Sequence, residues 1–86
     1  MSAFDDVIGS VDSVKKEIEE ARAQVQATIS QVDGAIALAE QLGSEHAQGG
    51  LSEVKAKLET VDANLGEAGS GADEARQAAE EASSSG

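Results

Sequence analysis

Small and branched apolar residues recur along the first half of the chain in alternating steps of three and four. They are Phe4, Val7, Val11, Val14, Ile18, Ala21, Val25, Val32, Ala35, Ala39 and Leu42, with Thr28 as the polar member of the series. A period of 3.5 marks a helix that buries one narrow stripe against another helix. We write the series as heptads abcdefg, with Phe4 at a and Val7 at d. At 1.5 Å per residue the resulting rod is roughly 58 Å long. A second series follows: Ala47, Leu51, Val54, Leu58, Val61, Leu65, Ala68, Ala72, Ala75, Ala79 and Ala82. Its phase is shifted relative to the first.

The shift falls at Leu42-Gly43-Ser44, which reads as a stop and a restart. Gly43 is the residue expected in the left-handed conformation just past a helix end. Ser44 is a ready N-cap, with Glu45 in the first turn that follows. A phase break at a glycine predicts an all-α fold, an antiparallel two-helix hairpin of coiled-coil type. Helix one is expected over about 3–42, the turn at about 43–44 and helix two over about 45–82, all within a single domain spanning 1–86. Ser2 is a candidate N-cap for helix one, with Asp5 and Asp6 in its first turn.

A looser turn over Gly43 to Gly50 is the competing arrangement. Folding at Gly43 pairs Val32 with Val54, Val25 with Val61, Ile18 with Ala68 and Val14 with Ala72, and most layers then join a large residue to a small one. The same register sets Arg22 near Asp62, whereas the looser turn brings Lys15 toward Arg76. Both arguments favour the tight turn. Beyond Leu65 the second series weakens. Gly66, Gly69 and Gly71 with Ser70 predict a break over 66–71, every later core position is Ala, and 83–86 is expected to be a disordered tail.

Ile8, Ile29 and Ile36 occupy e positions, and Leu38 a g position. They widen the apolar stripe of helix one beyond a two-helix seam. A hairpin of this size is marginal alone. Ile8, Ile29, Ile36 and Leu38 are therefore the expected partner contact, and self-association into a helical bundle is the expected outcome. Most carboxylates fall at b and c, while Lys15, Arg22, Lys55, Lys57 and Arg76 fall at e or g, where basic stems can cover apolar edges.

Composition narrows the function classes. The 86 residues carry 17 Asp and Glu against 6 Lys and Arg, a formal net charge of -11. Such a surface repels phosphates and anionic lipid, so neither nucleic acid nor membrane is an expected partner. With no Cys, thiolate metal sites are excluded. His46 is the sole histidine and has no second ligand at helical spacing, so no metal is expected. Gly66-Glu67-Ala68-Gly69-Ser70-Gly71 is no phosphate loop: no strand precedes it, no Lys-Ser/Thr follows it, and Glu67 opposes phosphate. The pairs Glu19–Glu20, Asp73–Glu74 and Glu80–Glu81 lie on a wet face, without the dry pocket that splits carboxylate pKa values. No catalytic residue and no cofactor is expected. The reading is a non-enzymatic interaction or scaffold module that presents a helix face to a protein partner. Met1 to Ser10 lacks the basic and apolar regions of a signal peptide, so the expected location is cytoplasmic, or outside by a signal-peptide-independent route.

Two long helices and a central Gly turn, without Pro or Cys, resemble in architecture the small helical hairpins of the Trp-X-Gly family exported by type VII secretion. The turn reads Leu42-Gly43-Ser44-Glu45 without the Trp, and the chain has no Tyr for the Tyr-x-x-x-Asp/Glu signal. The resemblance implies a secreted hairpin or export adaptor as the alternative function and transfers no site residue.

Overall fold

A computed structural model describes residues 2–85. Helix α1 spans Ala3–Gln41 and helix α2 spans Glu45–Ser85. They lie side by side as a rod of 65 × 16 × 11 Å. The fold is the expected helical hairpin.

Local chemistry sets both ends of α1. The Asp5 backbone N–H donates to Ser2 Oγ at 3.2 Å, and the Ser2 N–H donates to Asp5 Oδ2 at 3.5 Å. This reciprocal capping box satisfies donors that the first turn leaves unpaired. At the other end Gly43 adopts φ 72°. Its N–H reaches the Glu40 carbonyl at 3.1 Å, and the Ser44 N–H reaches the Ala39 carbonyl at 3.0 Å. These two bonds form a Schellman motif. Ser44 then caps α2, its Oγ accepting from the Ala47 N–H at 3.3 Å. The chain therefore reverses within Leu42, Gly43 and Ser44.

The register agrees with the tight turn. Arg22 Nε lies 3.1 Å from Asp62 Oδ1. Lys15 meets Asp73 at 2.7 Å, Lys55 meets Asp33 at 2.7 Å, and Arg76 meets Asp12 at 2.6 Å. Each step forward along α1 is matched by a step back along α2.

Two expectations are revised. The first concerns the Gly-rich segment: α2 continues as helix through 66–71 and on through Ser83 and Ser84. A Cβ on Gly66 would sit 3.3 Å from the Arg22 guanidinium, so the missing side chain leaves that group room; one on Gly69 would make an ordinary contact, 3.8 Å from Ile18 Cγ2, and one on Gly71 would point into open space. Leu65, Gly69 and Ala72 lie on the inward stripe, and packing against α1 holds the segment helical despite its low propensity. Gly86, the last residue of the expected tail, lies outside the described residues.

The second concerns which stripe turns inward. In α1 the positions at least half-buried include Ile8, Val11, Lys15, Ile18, Arg22, Val25, Ile29, Val32, Ile36 and Ala39. In α2 they include Gln48, Leu51, Lys55, Leu58, Asp62, Leu65, Gly69, Ala72, Arg76 and Ala79. Both sets keep the three-four alternation by combining a with e; of the d positions, Ala21, Thr28, Ala35 and Ala47 are half-buried beside them, while Val7, Val14, Val54 and Val61 are exposed. Each helix is rolled toward its e side. Area explains the roll in α1: three isoleucines at e outweigh Ala21, Thr28 and Ala35 at d, because buried apolar area contributes at roughly 25 cal/mol per Å². Among the described residues only Val32, Ala39 and Ala72 are buried, at 9%, 5% and 9% exposed.

Glycine substitutions should separate turn from helix. Gly43→Ala forces a side chain into the left-handed region and should destabilise the hairpin by about 1 kcal/mol. Gly34 sits within α1 with open space where a Cβ would point. Gly34→Ala should stabilise by about 0.5–1 kcal/mol. Urea unfolding followed by circular dichroism checks both signs.

Candidate interaction surface

A helix turns 100° per residue, so the b and d positions point to opposite sides of a seam built from a and e. In an antiparallel pair the same heptad letter of both helices falls on the same side. The hairpin therefore has two unlike broad faces.

One face is ionic. Lys15, Arg22, Lys55 and Arg76, all at e, reach across to Asp73, Asp62, Asp33 and Asp12 of the opposite helix. Arg22 grips Asp62 with two donors, Nε at 3.1 Å and Nη2 at 3.2 Å. Arg76 likewise uses Nε and Nη2 on Asp12 and also pairs with Glu80 along its own helix. The aliphatic stems of these residues lie over the seam on their way to the carboxylates. Hydrogen bonding to its aspartate and that aspartate's charge raise the Lys15 and Lys55 ammonium pKa values above the usual lysine range. The Asp62 carboxyl is held below its ordinary value by the Arg22 hydrogen bond, with burial opposing and the Arg22 charge and a Gln26 hydrogen bond assisting.

The other face is apolar and open. Its ridge is the d positions that the roll left outside. Val7 is 50% exposed, Val14 49%, and Val54 and Val61 44% each. Ala68 and Ala75 are exposed in line with them, and Ala21, Thr28 and Ala35 are half-buried. Thr28 donates its hydroxyl to the Gln24 carbonyl at 3.0 Å. Beside this ridge run the g positions, Ser10, Glu17, Gln24, Gln31 and Leu38 on α1 and Lys57, Asn64 and Ala78 on α2. Glu17 and Lys57 are the charged residues at d or g, and they cancel. The face is neutral on a chain of net charge -11. Near the open end of the hairpin it dips into a groove of about 360 Å³, lined by Val7, Val11, Val14, Ala72 and Ala75 with Asp6 and Ser10 at its edge. The groove exists because alanines of α2 face valines of α1.

The four expected contact residues separate on this map. Ile8, Ile29 and Ile36 are half-buried on the stripe that closes between the helices, while Leu38 is 55% exposed at the border of the neutral face. The residues that sequence reasoning placed in the seam, Val7, Val14, Val54 and Val61, are the ones left open. A signal for them exists in the sequence: d and g together carry one carboxylate, whereas b and c carry most of the rest.

His46 is exposed. No group of three or more His, Cys, Asp or Glu able to hold a metal ion occurs among the described residues. No helix among them is long and apolar enough to cross a membrane. What the arrangement can do chemically is bury apolar area against a matching surface. Comparisons of the chain with protein-family models, with curated proteins and with solved structures give no match in any of the three.

The Asp62 shift has a sign that can be measured. A carboxyl with a lowered folded pKa stabilises fully above its unfolded value, 3.8, and loses that contribution as pH falls through the lower folded value. The stability difference between wild type and Asp62→Asn should hold steady from pH 7 to about 4 and shrink below it. Urea midpoints at a series of pH values test this.

Proposed function

We propose that this chain is a non-enzymatic protein–protein interaction module that presents a helix-pair face to another protein. The carrying observation is the neutral apolar face, with Val7, Val14, Val54 and Val61 about half exposed on an otherwise anionic rod. Contiguous exposed apolar surface of this kind marks an association site. A helix lays its apolar stripe into such a face, with side chains three and four apart as anchors. The surrounding carboxylates keep the rod soluble and restrict tight approach to the side that carries fewest of them.

Val14→Asp/Val61→Asp tests the reading. Both residues are exposed in the hairpin, so circular dichroism should stay helical. Capture of a protein partner from the native host by the tagged variant should fall at least tenfold for each charge placed in the contact, about 1.4 kcal/mol or more apiece. Equal capture by wild type and variant would refute the face.

The hairpin architecture also supports the alternative, a type VII-like secreted hairpin or export adaptor. Fractionating host cultures decides between locations. Protein confined to the cytoplasm counts against export, and protein accumulating in the medium without cell lysis favours it.

A further inference from the structure

We infer that the neutral face is occupied by a second copy of this chain, stacked antiparallel to give a four-helix bundle. This rests on the interaction reading above and names its partner.

The first argument is area. A compact monomer of 8.7 kDa should expose about 4,700 Å² by the mass scaling of folded proteins. This chain exposes 5865 Å². The excess, about 1,100 Å², exceeds the roughly 800 Å² that each partner buries in a stable protein interface.

The second argument is charge. Two chains of net charge -11 repel. They can meet closely only where carboxylates are fewest, and the d and g positions, with Glu17 balanced by Lys57, are that place. A basic partner would instead be drawn to the b and c positions, where the acidic residues gather.

The third argument is shape. Residue 22 is the midpoint of α1 and residue 65 that of α2. A twofold axis parallel to the line joining these midpoints, but lying outside the hairpin against the neutral face, lays α1 on α1 and α2 on α2 in opposite directions. Leu38 lies sixteen residues after Arg22, and Val7 lies fifteen before it. Val54 lies eleven residues before Leu65, and Ala75 lies ten after it. The exposed Leu38 and Val54 of one copy therefore reach the groove of Val7, Val14 and Ala75 in the other, and symmetry repeats the contact. Bulky ridge meets alanine-lined hollow at both ends of the rod.

Sedimentation equilibrium of the whole chain should show a dimer at tens of micromolar. Leu38→Asp/Val54→Asp should raise the dimer dissociation constant at least about a hundredfold, while Ser30→Asp, the same charge on the other side, should leave it unchanged. The chain lacks cysteine, so introduced thiols report geometry even if the double variant fails to fold. Leu38→Cys and Val7→Cys chains, mixed, refolded and oxidised, should yield mainly the mixed disulfide. A wild-type monomer at high micromolar concentration, or Leu38→Cys chains linked chiefly to one another, overturns the arrangement. If wild type is monomeric yet Val14→Asp/Val61→Asp loses capture of a different protein, the second copy is refuted and the interaction face stands.

Discussion

Each helix of a two-helix rod can turn only one stripe inward, and the competition between candidate stripes governs this molecule. The a positions are common to both candidates. The choice lies between d and e. In α1 the e positions hold three isoleucines, a lysine and an arginine, and the d positions beyond Val14 hold small residues. Burying the isoleucines removes more apolar area from water, and the long basic stems at e lie flat across the seam. Glycine at 66 and 69 then receives Arg22 and Ile18. The roll of α1 and the openness of its valines at d share this one cause.

The same roll sorts the charge. With e turned inward, basic residues at e point toward Asp12, Asp33 and Asp73 at b and Asp62 at e on the opposite helix, and four cross-helix bridges form on that side. Exposed bridges of this kind contribute little each to stability. Their effect is on register and on facing. They require Arg22 to stand beside Asp62 and Lys55 beside Asp33, and the opposite side of the rod carries only Glu17 and Lys57.

Much of the fold was legible in the residues. The three-four alternation, its phase break and the Gly43-Ser44 pair define a hairpin through backbone chemistry that acts within a few residues. The Arg22–Asp62 pair follows from counting back from that turn. The facing of the helices was harder to read. A heptad pattern with apolar residues at a, d and e fits two seams, and the sequence pattern gives no weight to the volume of Ile29 against Thr28. The Gly-rich segment misled for a related reason. Glycine lowers helix propensity by about 1 kcal/mol per residue, but packing of the segment against α1 offsets that cost, and Gly66 leaves room for Arg22, which a local reading does not weigh. Of the expected contact residues Ile8, Ile29, Ile36 and Leu38, the isoleucines are accordingly half-buried and Leu38 lies at the edge of the open face.

The hydroxyl of Thr28, tied back to the Gln24 carbonyl, has a consequence for the valine ridge. A donor already satisfied within its own helix asks nothing of a neighbour. The lone polar letter in the heptad series thus brings no unpaired donor to the place where another surface would close.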